Sequence, residues 1–117
     1  MSKEQNKFGL TERNIGELYA IFKKYTDVKE VHLFGSRAKG NYTIGSDIDL
    51  AVMNTGLQPK TISRILADCA ESSLPVAVDL VDFTSLNNPE FINHIQRVGV
   101  LFYDSKRDEQ EAKSDSH

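Results

Sequence analysis

FGSRAKGNYTIGSDIDLAV, residues 34–52, decides the reading of this chain. A glycine–serine turn follows an apolar residue, and two aspartates, Asp47 and Asp49, then stand in a run completed by Ile48, Leu50, Ala51 and Val52. Carboxylates are among the side chains least often buried without a partner or a bound cation. Side chains alternate along a strand, so Asp47 and Asp49 point one way while Ile48, Leu50 and Val52 point the other. Their Cα atoms are expected about 6.6 Å apart. Like charges held that close resist ionisation unless a cation sits with them. A hard, oxygen-seeking divalent ion such as Mg²⁺, or Mn²⁺ in its place, answers both the repulsion and the desolvation.

A second apolar run, VAVDLV at 76–81, carries Asp79. If its strand neighbours the first, three carboxylates reach one point. That is enough for two Mg²⁺ ions about 3.5 to 4 Å apart, the arrangement used for in-line phosphoryl or nucleotidyl displacement. Plainer readings exist for two of the three. Asp47 follows Gly45 and Ser46 and fits the end of a turn, and Asp79 would be merely solvated on an edge strand. Asp49, in mid-strand between apolar neighbours, has no such easy explanation. Asp82, at a strand end, reads as a cap or a solvated residue.

The glycine turn is the other half of the candidate site. A glycine straight after a strand lets backbone approach a ligand closely, and free N–H groups at such a turn bind phosphate. The Ser36 hydroxyl adds a donor, Arg37 and Lys39 add positive charge for a triphosphate, and Gly40 ends the turn. This is not a P-loop, which requires GxxxxGK[ST]. Tyr42, between the turn and the aspartates, is placed to flank a base or a partner, or is an ordinary loop aromatic. His32, His94 and His117 lack zinc-like spacing with Cys69. Cys69, in the stripe Ile62, Ile65, Leu66, Ala70, reads as a packed core thiol. No nucleophile has an evident base and orienter.

The chain has 117 residues, 39% hydrophobic and 26% charged, with a formal net charge of −3 and one cysteine. That is one domain, without an internal disulfide framework or broad unspecific nucleic-acid binding. No stretch has membrane-spanning length and no signal peptide opens it, so a cytoplasmic protein is expected. The pattern predicts a flexible N-terminus at 1–10, a domain at 11–104 and a disordered polar tail at 105–117. Within the domain, Thr11 caps a helix with Ile15, Leu18, Tyr19, Phe22 and Tyr25 inward. Strands follow at 31–34, 47–53 and 76–81. A helix that Pro75 stops lies between the last two, a helix begins at Asn88–Pro89, and a last strand or edge segment covers 100–104. Helices alternating with short strands predict an α/β (α+β) fold: a small mixed sheet with helices mainly on one face. The apolar stretch at 98–103 either packs on the first helix or serves a self-association or partner surface.

Gly35-Ser36-Arg37-Ala38-Lys39-Gly40, Ser46-Asp47-Ile48-Asp49-Leu50 and Val78-Asp79-Leu80-Val81 together resemble the minimal nucleotidyltransferase family, within the DNA polymerase beta-like superfamily. The resemblance covers about residues 15–103. It implies that Asp47, Asp49 and Asp79 hold two Mg²⁺ ions and act catalytically. It also implies that Gly35 and Ser36 bind ATP or another nucleoside triphosphate, in a site where Arg37 and Ser46 are expected to take part. Many minimal members form a complex with a small all-helical HEPN-type protein, and several such pairs resemble toxin–antitoxin modules in which AMP is transferred to the partner. The expected function is thus Mg²⁺-dependent transfer of a nucleoside monophosphate to an acceptor hydroxyl, on such a partner rather than on nucleic acid. The alternative is a non-catalytic antitoxin that neutralises its partner by contact.

Overall fold

Local chemistry sets each element. Thr11 accepts from the Asn14 backbone while the Asn14 side chain accepts from Thr11, a reciprocal box that starts helix α1 at Glu12–Lys23. Leu18, Ile21 and Phe22 form its buried stripe. The computed structural model describes residues 7–106. After α1 come β1 (Glu30–Phe34), α2 (Gly35–Lys39), β2 (Ile48–Val52), α3 (Thr61–Ala70), β3 (Val78–Asp82), α4 (Pro89–Val98) and β4 (Val100–Asp104).

Helix α3 has no side-chain cap of its own. Asp27, from the turn after α1, serves instead, accepting from the Gln58 N–H and the Thr61 hydroxyl. The helix ends at Ala70, well before Pro75, where the last N–H bonds at Glu71 turn the chain. Asn88 caps α4 through the Glu90 and Phe91 N–H groups, and Pro89 takes the first helical position, where its missing N–H costs nothing.

The sheet runs β3-β2-β1-β4, with β2 and β3 parallel and the other pairs antiparallel. This is the expected mixed sheet. Alternation sends Val31, Leu33, Ile48, Leu50, Val52 and Leu80 to one face, where they pack with residues of α1 and α3. The opposite face carries Phe34 and Ala51, against which Ile95 of α4 is fully buried. Phe102 and Tyr103 of β4 turn inward onto Tyr19 and Phe22, so the apolar stretch 98–103 serves largely the protein's own core. Leu101 alone of that stretch is clearly exposed.

Both margins of the domain extend beyond the expected bounds. A 3-10 turn at Lys7–Gly9 and a buried Leu10 belong to the fold, and the Ser105 N–H donates to the Lys29 carbonyl. Residues 1–6 and 107–117 lie outside the described residues. Among the described residues no helix is long and apolar enough to cross a membrane.

Candidate active site

The parallel pairing of β2 with β3 puts Asp49 opposite Asp79, and the antiparallel pairing with β1 puts Phe34 on the other side of Asp49. One row thus crosses the sheet as Phe34, Asp49, Asp79. Paired residues share a face, so both carboxylates lie on the α4 side. Asp47, two residues earlier and just before β2, is exposed, as is Asp79; Asp49 is half-buried. Phe34 carries Phe91 and His94 of α4 at ring distances of 5.6 and 6.2 Å, building an aromatic wall beside Asp49. Burial against that wall, then Asp79, then Asp47, raises the Asp49 carboxyl above its ordinary pKa, and His94 pulls it partly back. Here is the charge conflict expected from the sequence.

His94 is the residue that sequence spacing passed over. Only the docking of α4 onto Phe34 brings it to Asp49, and no motif announces that. Cys69 is as expected: burial pushes its thiol up to about 11, which leaves it unreactive.

The glycine turn lies directly above. Gly35 sits at φ +75°, and a Cβ there would collide with the Asp49 carboxylate. Glycine is therefore required twice, for the left-handed backbone and for the close approach. No side chain caps the start of α2, and Gly40 at φ +92° ends it, its N–H donating to Ser36 O. Ser46 is engaged within its own loop, where its hydroxyl accepts from the Thr43 N–H at 2.8 Å.

Arg37 is placed differently from the expectation. The sequence suggests a free guanidinium for a triphosphate, but the residue is 4% exposed. Its Nε and one terminal nitrogen donate to the Ser46 carbonyl at 3.1 and 2.9 Å, and the other terminal nitrogen to Phe8 O at 2.8 Å. Tyr42 lies over it at 5.2 Å. All three nitrogens are occupied by backbone, an outcome set by residues 7–9 folding back onto the loop.

Three carboxylates are the donor set of a hard cation, and Asp49 is raised first by burial and then by Asp79 and Asp47, costs that a cation would relieve. In kind, the residues fit Mg²⁺. Among the described residues, however, no group of three His, Cys, Asp or Glu side chains is gathered closely enough to hold a metal.

A family model described as polymerase beta nucleotidyltransferase matches residues 16–108, spanning every strand and the whole site. The chain belongs to this family. Solved structures are similar in fold. A toxin–antitoxin with AMP-PNP is similar at a TM-score of 0.64 and 23% identity, covering 83% of this chain and 78% of that one. A mutant MntA–HpeT toxin–antitoxin gives 0.60 and 26%, over 86% and 78%. A Shewanella oneidensis tri-AMPylated HEPN toxin in complex with MNT antitoxin gives 0.59 and 21%, over 85% and 76%. No curated protein matches the chain. Family membership makes nucleotidyl transfer the chemistry against which this site is read.

Proposed function

We propose that this nucleotidyltransferase moves AMP from ATP to an acceptor hydroxyl on a small helical HEPN-type partner, and acts thereby as the antitoxin of the pair. The observation that carries the reading is the row of Asp49 and Asp79 beneath Gly35: two carboxylates in register, one of them strained by the other, under a turn that only glycine fits. The similar toxin–antitoxin structures, one with AMP-PNP and one with a tri-AMPylated HEPN toxin, support the nucleotide and the partner.

Asp47 and Asp49 would hold the Mg²⁺ pair, and Asp79 would complete the ion nearer the acceptor. When bound, the ions offset the charge that develops on the attacking and leaving oxygens. Gly35 brings backbone N–H groups to the phosphates, and the Ser36 hydroxyl adds a donor from the same turn. Asp79, exposed at the edge strand, would also take the proton of the attacking hydroxyl. Phe34, Phe91 and His94 close the opposite side and hold water away from Asp49. The test is pyrophosphate release from ATP and Mg²⁺ on mixing with the partner. It should occur with the wild type and vanish in Asp49→Asn; inhibition of the partner without release would mark an antitoxin working by contact.

A further inference from the structure

Arg37 is among the few charged or polar side chains that the fold buries. Its contacts join three stretches distant in sequence. It stands in α2 behind the glycine turn, grips the peptide carbonyls of Phe8 and Gly9 at 2.8 and 3.4 Å, and holds the Ser46 carbonyl with two nitrogens. That Ser46 carbonyl belongs to the peptide bond leading into Asp47. Fixing it fixes the backbone from which the Asp47 carboxylate projects. Gly9 is part of the same latch: it sits at φ +69°, and a Cβ there would run into the Tyr42 ring and press on the guanidinium. The loop closes on itself as well, through Ser46 N–H to Thr43 O and Thr43 N–H to the Ser46 hydroxyl.

We infer that Arg37 is a positioning residue, which latches the loop 41–47 to the turn at Lys7–Gly9 and so sets where Asp47 stands. It reaches the reaction through Asp47 and makes no direct phosphate contact. The role of Asp47 as a cation ligand rests on the nucleotidyltransferase reading; the latch itself rests on geometry alone. Lysine cannot replace the arginine, since one ammonium cannot span from the Ser46 carbonyl to the Phe8 and Gly9 carbonyls as a planar guanidinium does.

The experiment uses the full chain as wild type, Arg37→Lys, Gly9→Ala, the double variant, and Tyr42→Leu, which removes the ring without straining the backbone. Amide hydrogen exchange is followed without ligand, and Mn²⁺ is titrated in the presence of ATP well below the melting temperature. Each single variant should speed exchange in 41–47 while β1 and β2 keep their protection. Each should raise the half-saturating Mn²⁺ concentration about tenfold, the double variant going no further because both changes open one latch. A merely structural arginine would instead lower protection across β1 and β2 and leave the Mn²⁺ midpoint of the folded protein unmoved, which would overturn the inference. So would wild-type behaviour of Gly9→Ala and Tyr42→Leu beside a defective Arg37→Lys, since that pattern marks direct phosphate contact. A wild type that binds no Mn²⁺ overturns the transferase reading, and is told apart from failure of the latch by the exchange data.

Discussion

Asp49 and Asp79 stand in register on neighbouring parallel strands, with Gly35 against the Asp49 carboxylate. Two acids side by side with one half-buried are a poor way to stabilise a sheet, and a good way to prepare a cation site. The opposition between those two effects gives the first prediction.

Without cation, Asp49→Asn should stabilise the fold at neutral pH by roughly 0.2–1 kcal/mol, the scale of a like-charge pair on adjacent strands. The sign follows from the raised pKa of Asp49, caused first by burial and then by Asp79 and Asp47. A group raised in the folded state contributes stability below its unfolded value, about 3.9, and loses it as pH rises through the folded value. The gain from the substitution should therefore grow as pH increases from about 4 and vanish at the acid end. Urea unfolding of both proteins across that window measures it.

Cation reverses the order. With the Mn²⁺–ATP complex at about a hundred times its dissociation constant, the wild type should gain about 2.7 kcal/mol, and Asp49→Asn should gain little. Equal thermal shifts for the two proteins would contradict a shared carboxylate site.

Gly35→Ala should fold but bind badly. The positive φ costs an alanine roughly 1–2 kcal/mol, and its methyl displaces the Asp49 carboxylate. Nucleotide affinity measured by calorimetry should drop by tenfold or more, because a displaced acid spoils the site at its centre. Ser36→Ala should lose one hydrogen bond to a charged phosphate, about 1.5–3 kcal/mol of binding, with the melting temperature unchanged.

Away from the site, Asp27→Ala should cost about 1–2 kcal/mol of stability. It removes a side chain that anchors the entry to α3, at the Gln58 N–H and Thr61 hydroxyl. Burial works against the Asp27 charge, yet the Gln58 and Thr61 bonds outweigh it and lower the carboxyl pKa. That contribution is present above about pH 4 and is lost as pH falls through the folded value. The difference between Asp27→Ala and wild type in chemical unfolding should shrink in acid.

What was legible in the sequence was local. Thr11 and Asn88 announce their helices because a capping side chain acts within three residues, and the alternation in Ile48–Val52 announces a strand. Strand margins moved by one or two residues, 47–53 becoming Ile48–Val52 and 76–81 becoming Val78–Asp82. Pairing decides such ends, and pairing is not local. Strand order depends on the same non-local pairing, and with it the neighbourhood of Asp49 and Asp79. Arg37 and His94 show the limit most clearly. One is drawn inward by a turn at residues 7–9 that looked like loose terminus; the other reaches Asp49 only through the docking of α4 on Phe34.

The most direct measurement is the intact mass of a small helical HEPN-type partner, co-purified with this chain and incubated with ATP and Mg²⁺. The prediction is a gain of one or more AMP groups on the partner with wild type, and none with Asp47→Ala or Asp49→Ala. A stable complex in which ATP leaves the partner's mass unchanged would contradict transfer and leave an antitoxin that works by contact.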